Sequence, residues 1–346
     1  MTETKIISII LPCRNEEKFI AKCLDSILAF TIPNTYSIEI IIIDGMSEDQ
    51  TKEIILKKKE NHPYIHVIEN PNKFQSFALN IGIKAAKGDY ILRLDAHADY
   101  PVDYLSLLLK TAIRTGADNT GGLIHTKPYN DSYAAAIVQA LTTHPFGVGN
   151  SGFRIGMKEG PADTVPYGFF KKEIFSKIGF FNERLIRAQD YEFNRRIIKN
   201  GGNIWFNPNI QMSYYNQPNI ITFLKKQLFF EAPYNVYMWY LAPYAFAYRH
   251  AITGVFAAGI IFGALLSLFL PWFSVLYLSV LILYFCLAIL SSIQQSIRYK
   301  KTAHLFTLPL CFCLYHFIHG IGILWGCLRV ITKTAPIFKI KENEIQ

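Results

Sequence analysis

Charge is spread unevenly along this chain, and that unevenness constrains its fold more than any other feature. Between residues 251 and 330 the only acidic or basic side chains are Arg298, Lys300, Lys301 and Arg329. Apolar runs at 251–270 and 272–293 approach or exceed the roughly 20 residues needed to cross a bilayer. A third run, 303–328, is long enough but is interrupted by His304, Pro309, His316 and His319. Residues 1–230 are instead charge-rich and alternate short apolar and polar segments. With 51% hydrophobic and 18% charged residues overall, the chain reads as a soluble domain joined to a membrane domain. The expected division is a soluble domain at 1–230, an interfacial amphipathic segment at 231–250, a membrane domain at 251–330 and a polar tail at 331–346. Aromatic residues crowd 220–248, together with Lys225, Lys226 and Arg249, as suits an interfacial stretch.

The N-terminus does not read as a cleavable signal. Its apolar stretch spans only residues 6–12 before Arg14-Asn15-Glu16-Glu17, so the soluble part is expected in the cytoplasm. The six cysteines support no disulfide framework, and Cys311 and Cys313 sit in an apolar run where packing is the expected role. The net charge of +9 comes without a dense Lys/Arg stripe or a nucleic-acid motif, so anionic lipid and a phosphorylated substrate explain it better than nucleic acid.

The first hundred residues repeat one pattern. Near-continuous apolar runs at 6–11, 38–43, 64–68 and 90–94 read as strands. Helical spacing appears at 16–30, near 48–59 with Ser47 as N-cap, and at 74–86. Strands alternating with helices predict a parallel sheet covered on both faces, an α/β Rossmann-like domain. Such sheets bind ligands at the carboxyl ends of their strands, which directs attention to 12–17, 44–49, 70–74 and 95–100. A dinucleotide-binding oxidoreductase is excluded, because Pro12-Cys-Arg-Asn-Glu-Glu17 stands where a Gly-rich turn should follow the first strand. Further on, 101–115 reads as a helix, Gly121-Gly122 and 146–160 as Gly-rich segments, and 171–178 and 187–199 as helices.

Asp44 ends a buried strand, and a carboxylate there can accept bonds from a base or a ribose. Asp49 serves either that purpose or the dipole of a helix start. Strand alternation places Arg93 and Asp95 on one face. Asp95 and His97 are two residues apart and can converge on one cation. Oxygen ligands suit Mg²⁺ or Mn²⁺, and an imidazole shifts the preference toward Mn²⁺. Asp190, near a helix start, is the candidate general base, with Glu192 as its rival. Of Arg195 and Arg196, one is expected to face a diphosphate, since guanidinium pairs well with phosphate oxygens.

Four segments in order, Leu11-Pro-Cys-Arg-Asn-Glu-Glu17, Ile43-Asp-Gly-Met-Ser-Glu-Asp-Gln-Thr51, Gly88-Asp-Tyr-Ile-Leu-Arg-Leu-Asp-Ala-His97 and Gln189-Asp190, resemble the family 2 glycosyltransferases over about residues 5–230. Asp95-Ala-His-Ala-Asp-Tyr-Pro101, Pro145-Phe-Gly-Val-Gly149 and Gln189-Asp-Tyr-Glu192 are similar to the subgroup typified by the succinoglycan glucosyltransferases. The resemblance implies a GT-A fold and inverting, metal-dependent transfer of a sugar from a nucleotide-diphospho-sugar, a UDP-sugar by expectation. The implied acceptor is a lipid-linked saccharide in exopolysaccharide or cell-surface glycan synthesis. It places Pro12, Asn15, Glu16 and Asp44 in the nucleotide pocket. It gives Asp95 to ribose and metal, His97 to the position of a metal-ligand carboxylate, and Asp190 to the base. Gly149, Asn150 and Ser151 fall near donor sugar or acceptor; Arg93 and Arg196 complete the expected donor-binding set. Departures from the family pattern are Gly45, His97 and Gln189, each where an acid is usual. A Gln-x-x-Arg-Trp signature of processive synthases is absent.

Other readings are transfer to polyprenyl phosphate itself and a non-catalytic membrane scaffold with a decayed metal site. The expected location is the inner (plasma) membrane, multi-pass, with the catalytic domain cytoplasmic and the basic loop 298–301 on the same side. A full third span would place Lys333, Lys339 and Lys341 outside, and Pro309 with the histidines suggests a broken or re-entrant segment instead, so two to three membrane segments are expected, with the last either spanning or re-entrant.

Overall fold

A computed structural model describes residues 4–339. In chain order the first part comprises β1 (Lys5–Cys13), α1 (Ile20–Leu28), β2 (Tyr36–Asp44), α2 (Thr51–Glu60), β3 (Ile65–Glu69), α3 (Gln75–Ala85) and β4 (Tyr90–Arg93). Next come β5 (Ala98–Asp99), α4 (Tyr104–Thr115), β6 (Asn119–Lys127), α5 (Tyr133–Thr142), α6 (Pro145–Val148) and α7 (Gly152–Ile155). Then follow β7 (Gly160–Pro161), β8 (Phe169–Lys171), α8 (Glu173–Ile178), α9 (Gln189–Lys199) and β9 (Ile204–Tyr215). The last part holds α10 (Ile220–Lys226), a π-helical turn (Gln227–Glu231), α11 (Ala232–Leu241), α12 (Tyr248–Phe269), α13 (Pro271–Tyr299) and α14 (Ala303–Ile331).

The chain forms two compact units. The first runs to His125 and resumes over Gly156–Tyr214; the second is Thr126–Ile155 with the described residues from Tyr215 onward. This differs from an uninterrupted soluble domain at 1–230. The reason is α5, whose apolar residues Ile137, Val138 and Leu141 bury themselves against Leu308, Phe312 and Tyr315 of α14. The 331–346 tail lies partly outside the described residues.

In the first unit the strands are ordered β3-β2-β1-β4-β8-β6-β9-β5, with β7 paired to β9. The four strands read from the sequence are parallel, β1 pairing with both β2 and β4. Ile7, Ile9, Ile10, Leu11 and Ile40–Ile43 are almost fully buried, as both-face coverage requires. The antiparallel strands follow β4 in the sheet, beginning with β8. Gly121 and Gly122, expected in a loose segment, lie inside β6. A Cβ on Gly122 would stand 1.9 Å from the Ile210 carbonyl oxygen, so only glycine permits that approach. The α2 helix starts at Thr51 rather than near Glu48, because the Ser47 amide and hydroxyl turn to the Asp44 carboxylate instead of capping a helix.

In the second unit, α12, α13 and α14 are each long and apolar enough to cross a membrane. Glycines on α14 allow close packing. A Cβ at Gly320 would meet the Thr253 carbonyl oxygen at 2.1 Å, and one at Gly322 the Leu228 carbonyl oxygen at 2.8 Å. Small residues at such contacts are how helices associate where water offers no hydrophobic drive. Of the two alternatives for the third apolar segment, the helix is unbroken: α14 runs continuously through Pro309. Pro309 falls in the second turn, so it removes a single backbone bond near the helix start. Packing of α5 and α11 along α14 supports the rest.

Candidate active site

The loops after β1 and β2 are welded together, which prepares the carboxyl end of the sheet. Asn15 holds a left-handed backbone, φ 55°, and its amide N–H donates to Ser47 Oγ at 3.0 Å while its side-chain oxygen accepts from Glu48 N–H at 2.9 Å. Glu16 N–H donates to Thr51 Oγ1 at 2.7 Å. Half-buried Pro12 precedes Cys13, the last residue of β1, whose carbonyl accepts from Gly45 N–H. Met46, Lys73 and Ala188 also adopt positive φ. Non-glycine residues in that region cost about 1 kcal/mol or more each and gather at functional sites.

Asp95 leaves β4 with its backbone clamped. The Tyr100 hydroxyl accepts from Asp95 N–H at 2.9 Å and stands 3.1 Å from the Asp95 carbonyl, to which it donates. Burial raises the Tyr100 pKa well above its ordinary value, so the hydroxyl keeps the proton that this double role requires. The Asp95 side chain is 14% exposed. Its Oδ1 accepts from Arg93 Nη2 at 2.9 Å and from Gln75 Nε2 at 3.0 Å. Among the described residues no donor reaches its Oδ2. His97 Nδ1 lies 3.0 Å from Glu16 Oε1, and its ring leans on Tyr214 with centroids 5.6 Å apart.

Asp190 stands in the first turn of α9. The helix is fixed by Phe193, fully buried, whose ring packs on Phe175 and Phe181 at 5.1 and 4.6 Å between centroids. Asp190 Oδ2 accepts from Arg93 Nη1 at 2.6 Å. Its Oδ1 is buried and has no hydrogen-bond partner among the described residues, although the side chain as a whole is 35% exposed. Burial raises the Asp190 pKa, Arg93 opposes that, and Asp95 adds to it; the net direction is upward. Burial also works against the charge on Arg93, but Asp190 and Asp95 outweigh it and hold the guanidinium protonated. Arg93 lies 5.2 Å from the Tyr167 ring centre.

A family model for glycosyl transferase family 2 matches residues 8–179. A dolichyl N-acetyl-α-D-glucosaminyl phosphate 3-β-D-2,3-diacetamido-2,3-dideoxy-β-D-glucuronosyltransferase of Methanococcus voltae is 30% identical over 93% of this chain and 97% of its own length. The chain belongs to glycosyl transferase family 2. A succinoglycan biosynthesis protein of Rhizobium meliloti is 29% identical over 62% of this chain and 64% of its own length. The solved mannosyltransferase of Pyrobaculum calidifontis, in complex with GDP-Man and Mn²⁺, superposes with a TM-score of 0.60 at 17% identity. It covers 93% of this chain and 87% of its own, and it shows the GT-A fold.

In this family 2 transferase the expected site residues divide into two groups. Arg93, Asp95 and Asp190 are in direct contact, and His97, two residues beyond Asp95, pairs with Glu16. Three expectations change. Asp44 is 1% exposed and both its oxygens accept from Ser47, so it shapes the loop that Asn15 joins and offers no open face to a ribose. Arg93 is 3% exposed and faces two carboxylates rather than a nucleotide. Arg196 is held by both oxygens of Glu192 and donates to the carbonyls of Ile178 and Phe180, at 3.1 and 2.7 Å. That ties α9 to the end of α8 and leaves neither Arg196 for a diphosphate nor Glu192, 1% exposed, as a rival base. Asn150 belongs to the second unit, where its side-chain oxygen accepts from Arg249 Nη1 at 3.2 Å. Gln75 and Tyr100 escaped the sequence reading. Gln75 follows directly on a segment marked at a strand end, and that position was the available signal.

Proposed function

We propose that this glycosyltransferase moves one sugar, with inversion, from a UDP-sugar to a saccharide carried on a polyprenyl phosphate or diphosphate, in exopolysaccharide or cell-surface glycan synthesis. Asp190 is the general base. The observation that carries this reading is Asp190 Oδ1, a buried acceptor without a donor, on a carboxylate whose raised pKa strengthens it as a base. An acceptor hydroxyl supplies the missing hydrogen bond. Its proton passes to Asp190 as its oxygen bonds to the anomeric carbon and the bond from that carbon to the diphosphate breaks. Arg93 holds Asp190 by Oδ2 and keeps the other oxygen presented.

The residues present fit a divalent cation, Mn²⁺ or Mg²⁺. Asp95 has an oxygen without a donor, and His97 has one ring nitrogen on a carboxylate, the usual setting of a metal-bound imidazole. Among the described residues no three His, Cys, Asp or Glu side chains converge on one ion. A cation here would be held by Asp95 and His97, with water and the donor's phosphate groups supplying the remaining ligands. When bound, it offsets the charge that builds on the departing diphosphate. The relatives support the acceptor class: one is named for a dolichyl phosphate-linked sugar and another for succinoglycan synthesis. Three helices of membrane-crossing length suit a multi-pass protein of the inner membrane with its first unit on the cytoplasmic side. Lys225, Lys226 and Arg249, with Asn150, are the groups assigned to the acceptor's phosphate.

The test is Asp190→Asn in full-length protein purified in detergent. Transfer, followed as metal-dependent UDP release with lipid extract as acceptor, should fall by about a thousandfold or more, while UDP binding by calorimetry stays near wild type. Retention of most activity would place the base elsewhere. Activity with a phosphate-only polyprenyl acceptor, and none with a lipid-linked saccharide, would reassign the acceptor.

A further inference from the structure

Around Asp95 and Asp190 the side chains close a ring. Gln189 Nε2 donates to Gln75 Oε1 at 2.8 Å, and Gln75 Nε2 donates to Asp95 Oδ1 at 3.0 Å. Arg93 donates to the same Asp95 oxygen and to Asp190 Oδ2. The peptide bond between Gln189 and Asp190 completes the circuit. Its members come from the start of α3, the end of β4, the turn beyond it and the start of α9. Of those segments only the end of β4 and the turn beyond it are adjacent in sequence.

We infer that Gln75, Gln189 and Arg93 are positioning residues that lock the Asp95 and Asp190 carboxylates together and present one oxygen of each. This rests on the reading of Asp190 as base. The direction of every bond in the ring is dictated from one end. An ionised carboxylate only accepts, so Gln75 turns its amide N–H to Asp95 and its oxygen to Gln189. Gln189 must then turn its own N–H to Gln75. A glutamate at 189 has no proton to offer there and would pull the Gln75 N–H away from Asp95. With Arg93 and Gln189 each 3% exposed, water competes poorly for these bonds.

The arrangement has a cost that packing alone does not explain. Arg93 Nε and Gln189 Oε1 are buried without hydrogen-bond partners among the described residues, and a buried polar atom left unpaired destabilises the fold. The return is geometric. Asp95 is held by Oδ1, leaving Oδ2 without a donor among the described residues, and Asp190 is held by Oδ2, leaving its buried Oδ1 without one. Small misplacement of reacting groups costs rate steeply while binding changes little.

The experiment is a double-mutant cycle in the full-length detergent-purified protein, using whichever of UDP-glucose, UDP-galactose and UDP-N-acetylglucosamine the wild type turns over fastest. Gln75→Leu and Gln189→Leu should each lower kcat about tenfold with donor KM within about twofold. The double variant should lose little more than either single one, because breaking one link already opens the ring. Gln189→Glu keeps the shape and should lose as much as Gln189→Leu, while Arg93→Lys should recover part of the kcat lost in Arg93→Met. Single losses that multiply, losses confined to KM or melting temperature, or a Gln189→Glu enzyme at wild-type rate would each overturn the ring. Asp190→Asn separates the two claims. If it is inactive while the cycle multiplies, the ring alone fails; if it stays active, both fail.

Discussion

The two units bury opposite things. In the first, isoleucines and phenylalanines are inside, and buried polar groups such as Arg93, Gln189 and Asn194 sit among them in hydrogen-bonded clusters. In the second, α12 and α13 turn Leu268, Phe269 and Ile282 outward at 77%, 78% and 64% exposure, while Ser291, Ser292 and Gln295 of α13 are buried. The same hydrophobic effect produces both, because the surroundings differ. In water, apolar area is driven inward. In lipid, leucine gains nothing by going inside, so helices meet through small residues and side-chain hydrogen bonds. The polar interior of the second unit follows that rule: Thr253 Oγ1 meets His319 Nδ1 at 2.7 Å, and the Tyr284 hydroxyl meets His316 Nδ1 at 2.8 Å. The first unit buries charge both in its scaffold, as in the Glu192–Arg196 pair, and at the candidate site, as in Arg93.

Four experiments can break or sharpen this contrast. The largest effect should come from glycines at backbone contacts. Gly122→Ala drives a Cβ into the Ile210 carbonyl and Gly320→Ala drives one into the Thr253 carbonyl. Both should destabilise by several kcal/mol, beyond typical overpacking, with loss of cooperative melting in detergent. Tolerance of either would mean that contact is looser than described.

A matched pair of surface charges should come next. Ile113 on α4 is 57% exposed and Ile282 on α13 is 64% exposed. Ile282→Lys should disfavour membrane insertion by about 3 kcal/mol, read as loss from the membrane fraction. Ile113→Lys should change stability by less than about 0.5 kcal/mol. Equal behaviour would remove the distinction between lipid-facing and water-facing surfaces.

The pH dependence of transfer should report the first unit. On the proposal that Asp190 is the base, it acts when ionised, and burial raises its pKa. Activity should therefore fall as pH drops through that raised value, about tenfold per unit beyond it, and the fall should begin at higher pH than for an ordinary carboxylate. An acid limb that Asp190→Asn leaves in its residual activity would belong to another group. The smallest effect is expected for Thr253→Ala, about 0.6 kcal/mol, as is typical of hydrogen bonds between membrane helices. A loss of several kcal/mol would show that the His319 contact organises the second unit.

Much of this was legible in the sequence because it rests on local periodicity. The runs at 6–11, 38–43, 64–68 and 90–94 became β1 to β4 within a residue or two, and strand polarity then placed Asp95 at a ligand-binding edge. Asp190 was legible as an acid at a helix start. The antiparallel strands β6, β8 and β9 were not, since their pairing joins residues far apart and Gly121-Gly122 resembles a loop until Ile210 is seen to need the space. For the same reason Arg93 and Arg196 were misread: residue type identifies a guanidinium but not which carboxylate it meets.

The sequence by itself determined that one part of this chain is charge-rich and another apolar enough to cross a membrane, that the charge-rich part begins with parallel strand–helix units, and which acids follow its strands. Those follow from composition and from spacing over a few residues. Only the tertiary structure decided that residues 126–155 join the membrane helices, that Asp44 and Arg196 serve the scaffold, and that Gln75, Arg93 and Gln189 tie the two site carboxylates together. Each of those depends on contacts between distant segments, which only the folded chain brings within hydrogen-bonding distance.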